Sequence, residues 1–337
     1  MSKKNKKLIR VLSIDGGGIR GIIPGQILVV LEEKLKKAVN NDNARIADYF
    51  DLIAGTSTGG ILTCAYLAPS VDDPSRPAFT AGEVVDLYLK NGGTIFSTSL
   101  KKKIVSAEGI IDEKYPSEGI EKVLHNYFGE RKLSGLLKPC LISSYDINRR
   151  QLHFFTQHDA RKKEGWDFYV RDVARATSAA PTYFECSDVR SDSGITYPLI
   201  DGGVCVNNPA LCAYTEAFTL FNARTKDMAI LSLGTGSKEK SYTWDHAKGW
   251  GLISWAQPLV SIMMSGASEA ADYQLRQIFS AERIPEKYLR INTEFREGIS
   301  PELDDATEEN MNALRELGAE TAQKFEKELD EFIKYLI

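Results

Sequence analysis

No stretch of this 337-residue chain approaches the ~18 consecutive apolar residues that a membrane-spanning helix needs. The N-terminus, Met1 to Arg10, is basic, but the apolar stretch after it is cut by Arg10 and Asp15, too short for the core of a signal peptide. Cysteine is scarce: five residues, at 64, 140, 186, 205 and 212, with no C-x-x-C pair. An odd, unpaired set of this kind is neither a disulfide framework nor a zinc site, and reduced thiols in the cytoplasm are expected. Charge of one sign is missing too. Lys plus Arg number 42 against 46 Asp plus Glu, a net charge of −4, so there is no general field for nucleic acid and no nucleic-acid partner is expected. Histidine is limited to His125, His153, His158 and His246, none in a recognisable catalytic setting; surface or structural histidines are expected, with a triad histidine as the alternative. Repeats, low-complexity tracts and Pro/Gly-rich linkers are absent as well.

What is present is an ordinary globular composition, 43% hydrophobic and 26% charged, enough to build a large core. The first half alternates short apolar runs with helical spacing, which indicates α/β architecture. Leu8–Ile14 is a strand candidate, Pro24–Val39 a helix with Ile27, Val30, Leu31 and Leu35 on one face, Tyr49–Ala54 a second strand and Gly60–Leu67 an apolar helix. Val71–Pro77 is a loop. Pro139–Ile147 and Gln151–Phe155 are strands flanking a turn, Val170–Thr177 a helix, and Pro198–Ile200 and Met228–Leu233 strands. From Glu302 the chain is charged and helical, with Leu314, Leu317, Phe325, Leu329, Phe332 and Leu336 as its inward stripe. One domain over 8–337 is expected after a basic tail at 1–7, with a motif-bearing core to 236 and a helical C-terminal part over 237–337.

Two glycine turns carry the chemistry. Gly55-Thr-Ser-Thr-Gly59 lies between an apolar strand and an apolar helix, the G-x-S-x-G elbow context. Such a turn lifts a serine hydroxyl off the sheet and aims helix N–H groups at developing negative charge. The competing reading is a glycine-rich strand–helix turn holding a serine by chance. The second turn, Asp15-Gly-Gly-Gly-Ile-Arg-Gly21, formally satisfies G-x-G-x-x-G. A dinucleotide site is rejected: Asp15 would face the pyrophosphate, and the next strand lacks the ribose-binding acid. Backbone N–H groups at Gly16, Gly17 and Gly18 instead suit an oxyanion hole. Arg20 either braces that loop or meets a phosphate. The base candidate is Asp201, an acid at a strand end followed by Gly202 and Gly203, although Asp-Gly is also ordinary turn chemistry. An unperturbed carboxyl, with a pKa near ~4, is a weak base, so burial against the Ser57 hydroxyl would be required.

Together these segments resemble the patatin-like phospholipase family. Its D-G-G-G-x-R-G motif is matched by Asp15 to Gly21, its elbow by Gly55 to Gly60, and its D-G-[GA] motif by Asp201 to Gly203. Ala176–Phe184, Asn207–Pro209, Ser232–Gly236, Trp250–Trp255, Asp272–Leu275 and Tyr288–Ile291 are similar to stretches of plant and bacterial members. The resemblance implies a three-layer α/β sandwich around a central mixed sheet, with a helical C-terminal cover. It implies Ser57 as nucleophile, Asp201 as general base without histidine, Gly16, Gly17 and Gly18 as oxyanion hole, and neither metal nor cofactor. The expected activity is hydrolysis of fatty-acyl esters of membrane phospholipids by a cytoplasmic protein in transient peripheral contact with the membrane.

The alternatives are the same activity gated by a cyclic-nucleotide activator in anti-phage defence, and a non-catalytic lipid-binding protein. Two segments are candidates for lipid contact: Thr94–Val105, apolar residues joined to three lysines, and Trp244, Trp250 and Trp255 ahead of Leu259, Ile262, Met263 and Met264. Core and solvated loop is the competing reading of both. Tryptophan also suits protein–protein contacts, which leaves a homo-oligomer open.

Overall fold

A computed structural model describes residues 7–97, 115–237 and 242–337. Eight strands form one mixed sheet: β1 (Ile9–Ile14), β2 (Leu52–Thr56), β3 (Cys140–Asp146), β4 (Gln151–Thr156), β5 (Ser187–Arg190), β6 (Thr196–Asp201), β7 (Met228–Leu233) and β8 (Tyr288–Ile291). Their order is β5-β6-β3-β2-β1-β7-β8, with β4 also paired to β3. β1, β2, β3, β7 and β8 run parallel, while β4, β5 and β6 are antiparallel to their neighbours.

Strand alternation divides the core into two layers. On β1, Leu12 and Ile14 join one cluster and Ile9 and Val11 the other; on β7, Leu231 and Leu233 oppose Met228 and Ile230. The first layer is covered by α1 (Ile22–Val39), the short α2 (Ile46–Tyr49), α3 (Thr58–Leu67), α4 (Ala81–Ile95), α5 (Glu118–Phe128), α6 (Gln157–Ala160) and α7 (Val170–Thr177). The opposite layer is built on α8 (Ala210–Leu220) and the C-terminal half of α10 (Leu252–Ala281), which follows the short α9 (Trp244–Ala247). The last two helices, α11 (Glu308–Lys324) and α12 (Glu326–Leu336), return to the first layer and bury Leu314, Leu317, Leu329, Phe332 and Leu336. Helices on both sides of a mixed sheet make a three-layer sandwich, as the family resemblance implied.

Several boundaries differ from the sequence expectation, and three of them bear on the sheet and the nucleophile turn. The second strand is displaced toward the C-terminus: Tyr49 closes α2 and β2 runs from Leu52 to Thr56, straight into Ser57. The following helix begins at Thr58, with Gly59 and Gly60 inside it. The part after 237 is not purely helical, because β8 pairs with β7 and extends the central sheet. Lys7, assigned to the basic tail, is tied to Asp51 at 2.7 Å; the tail residues before it lie outside the described residues.

Candidate active site

The register of β3 explains how two distant residues meet. β2 pairs with β3 until Thr56 faces Ser143, and β6 pairs with β3 until Asp201 faces Ser144. β4 occupies the other edge of β3 over the same stretch, so β2 and β6 share one edge and approach end to end. Their C-terminal residues therefore converge at consecutive positions of one strand. Ser57 Oγ donates to Asp201 Oδ2 at 2.5 Å across 144 residues of sequence.

Each half of the pair is held by its backbone. Ser57 has φ 55° and ψ −123°, a left-handed conformation unusual for a non-glycine residue and strained by about 1–3 kcal/mol. The turn closes because Gly59 sits against β1: a Cβ there would lie 2.2 Å from the Ile14 carbonyl oxygen. The Ser57 N–H donates to Thr177 Oγ1 at 2.9 Å, and Thr177 in turn donates to the Ser143 carbonyl at 2.7 Å. On the other half, the Gly203 N–H donates to Asp201 Oδ1 at 2.7 Å. Both oxygens of Asp201 are thus engaged in a site where the residue is 4% exposed. Burial raises its pKa from 3.8 to about 7, against the lowering effect of the Ser57 and Gly203 hydrogen bonds. A carboxylate in this state is a far better proton acceptor near neutrality than an ordinary aspartate.

The three consecutive glycines are not equivalent, which corrects the sequence reading. The Gly16 N–H is spent on the Asn207 carbonyl at 3.0 Å, and Gly16 does not line the cavity over Ser57. Gly17 and Gly18 do line it, and no described residue accepts from their N–H groups. Gly18 must be glycine twice over: its φ is +58°, and a Cβ would lie 2.2 Å from the Leu303 carbonyl oxygen. Thr58, first residue of α3, also faces the cavity, with its N–H at the helix N-terminus.

Arg20 takes the bracing role, donating to the Gly17 carbonyl at 3.1 Å and the Pro301 carbonyl at 3.3 Å. Asp15 does not line the cavity and pairs with Arg290 of β8 through both oxygens, at 2.8 and 2.6 Å. The Thr235 hydroxyl holds the Gly16 carbonyl at 2.7 Å. Arg290, Thr235 and Thr177 escaped sequence reasoning, because each acts through a contact between segments far apart in the chain.

The cavity over Ser57 is narrow, about 60 Å³, and walled by apolar side chains including Ile61, Tyr88, Ile95, Phe96, Ile120, Phe184 and Met264. Ile95 and Phe96 belong to the first stretch expected to contact lipid; here they are cavity wall, and residues 98–105 of that stretch lie outside the described residues. The histidines are placed elsewhere. His153 is packed against Phe155, Trp166 and Tyr197, and burial lowers its pKa to about 4. His158 bonds Glu216 at 2.7 Å, His246 packs on Trp250, and His125 is on α5. Among the described residues no group of His, Cys, Asp and Glu side chains could hold a metal ion.

An α/β sandwich carrying a serine on a strained strand–helix turn, against a buried carboxylate and beside backbone N–H groups that no described residue engages, has the build of a serine hydrolase. The model of the Patatin-like phospholipase family matches residues 12–214. "Patatin-like protein 2" of Arabidopsis thaliana is 35% identical, with 94% of this chain and 83% of that protein aligned. "Patatin group J-1" of Solanum tuberosum is 35% identical over 98% of this chain and 90% of its own length. The solved structure of VipD from Legionella pneumophila aligns with 97% of this chain and 67% of that one, at 11% identity and a TM-score of 0.40. The chain belongs to the patatin-like phospholipase family, and membership supports lipid acyl hydrolase activity in general terms.

Proposed function

We propose that the protein hydrolyses fatty-acyl esters of membrane phospholipids through a Ser57–Asp201 dyad and an acyl-enzyme. The observation that carries this is the 2.5 Å hydrogen bond from Ser57 Oγ to Asp201 inside an apolar cavity. Asp201 accepts the hydroxyl proton as Ser57 Oγ attacks the ester carbonyl. The tetrahedral oxyanion is met by the N–H groups of Gly17 and Gly18, with Thr58 a third donor. Collapse breaks the acyl C–O bond, Asp201 returns its proton to the departing alkoxide, and the lysolipid leaves. Water then attacks the acyl-Ser57 ester with Asp201 again as base, releasing the fatty acid and restoring the hydroxyl. The apolar walls suit an acyl chain. Action in the cytoplasm, at the membrane surface, is part of this reading, and the odd set of cysteines without a pairing motif supports it.

The test is fatty-acid release from mixed phospholipid vesicles by the wild type, Ser57→Ala and Asp201→Asn. Loss in both variants with folding intact supports the dyad; activity surviving Ser57→Ala refutes it. No observation on the described residues favours gating by a cyclic nucleotide or a purely lipid-binding role. Activity that appears only with an added cyclic nucleotide would establish the first, and vesicle binding without hydrolysis the second.

A further inference from the structure

From Gly249 to Ser268 the chain has twenty residues without one Asp, Glu, Lys or Arg. Most of that stretch is the N-terminal half of α10. A surface helix of a water-exposed protein ordinarily carries charge on its outer face. Here Trp255, Leu259, Ile262 and Met263, spaced at helical intervals, are 39%, 46%, 43% and 49% exposed. The C-terminal half of α10 is ordinary, packing Leu275 and Phe279 into the second core layer. The junction is pinned beside the active site, where Asn207 Nδ2 donates to Ser268 Oγ at 2.9 Å and Asn208 Nδ2 to the Ser268 carbonyl at 3.4 Å.

Met264 lies on the opposite side of the helix from Trp255 and lines the cavity with Ser57 and Asp201. At Met264 the helix therefore walls the cavity, while Trp255, Leu259, Ile262 and Met263 form an uncharged apolar surface on the other side. At its start, Trp250 packs edge-on against both Tyr242 and Trp255, and Lys248 sits 4.5 Å from the ring of the 75% exposed Trp244. Aromatic side chains beside a lysine, ahead of an apolar stripe, are the composition that lies in the headgroup region of a bilayer. No helix among the described residues is long and apolar enough to cross a membrane, so the stripe suits lying on one rather than spanning it.

We infer that the exposed surface of Trp255, Leu259, Ile262 and Met263 is where the protein docks on a phospholipid bilayer, so that the lipid enters the cavity past Met264. The inference rests on the phospholipid-hydrolase reading above and supplies its interfacial step. Area argues against a second copy of the chain as the occupant. The four exposed side chains present roughly 350 Å², taking ~200 Å² for each, against the ~800 Å² per partner of a stable interface. Continuity with the cavity argues for the membrane, because a docked acyl ester has only the thickness of this helix to cross.

The test compares L259D/M263D with the wild type on a water-soluble short-chain ester and on vesicles of phosphatidylcholine and phosphatidylglycerol. Co-sedimentation with the same vesicles is measured for both on a Ser57→Ala background, which separates docking from chemistry. The expected result is unchanged soluble-ester hydrolysis, with vesicle hydrolysis and co-sedimentation both reduced at least about tenfold, since burial of two large apolar side chains is lost. Trp255→Ala should reduce both in the same sense. Vesicle binding equal to wild type, or an oligomer dissociated by L259D/M263D without loss of vesicle binding, overturns the inference. A protein that hydrolyses neither substrate but co-sediments through this face refutes the hydrolase reading and leaves the docking surface standing.

Discussion

Asp201→Asn should make the protein inactive and, above neutral pH, more stable. The native carboxyl has a pKa of about 7, raised by burial from 3.8. Between those two values the unfolded chain has released a proton that the native state still holds, so rising pH favours unfolding. At ~1.4 kcal/mol per pH unit, a gap of about 3 units withdraws about 4 kcal/mol from the wild type between pH 4 and pH 7, with a plateau above. Asparagine keeps an acceptor for the Gly203 N–H and has no proton to lose. Its stability relative to wild type should therefore climb through this window and level off near pH 7. Urea unfolding of both proteins at several pH values from 4 to 8 measures the difference directly. A difference that does not vary with pH, or that falls as pH rises, would refute the reasoning, because it would mean an aspartate ionised at its ordinary pKa or below. The same pKa governs the reaction: wild-type kcat/KM should rise with pH and flatten above about 7, and a profile flat from pH 5 would contradict Asp201 as base.

Ser57→Gly should remove activity and stabilise the fold by about 1 kcal/mol, since glycine adopts φ 55° without strain; unchanged or lower stability in denaturant would show that the turn is not strained. Gly18→Ala should abolish ester hydrolysis, because a methyl group 2.2 Å from the Leu303 carbonyl must displace the loop that presents the Gly17 and Gly18 N–H groups; wild-type kcat would exclude that loop from the reaction. Arg290→Met leaves the Asp15 carboxylate buried without its partner and should cost about 3–5 kcal/mol in urea unfolding, with less than 1 kcal/mol pointing to a loop anchored elsewhere.

Much of the local structure follows from pattern alone. Val170–Thr177 and Met228–Leu233 form over the expected residues, because one is a short amphipathic run between breakers and the other an unbroken apolar stretch fit only for a buried strand. The nucleophile turn was legible for a similar reason: a strand–turn–helix with glycine on either side of a serine is a local device. Helix α10 was not legible, because its charge-free first half carries Pro258 and offers no charged face against which an apolar stripe would stand out. Strand β8 escaped as well, since four residues with a central arginine give no alternation.

By itself, then, the sequence determined many of the elements, the glycine turns and which side chains could do chemistry, since those depend on neighbours a few residues apart. Only the tertiary structure decided that Asp201 meets Ser57, because β2 and β6 end on consecutive residues of β3. It alone decided that Gly16 is spent on Asn207 while Gly17 and Gly18 are left to face the cavity, and that Arg290 holds Asp15. The pKa of Asp201 belongs to the same group: it is set by how much water the packed site excludes, a property of the assembled layers rather than of any segment.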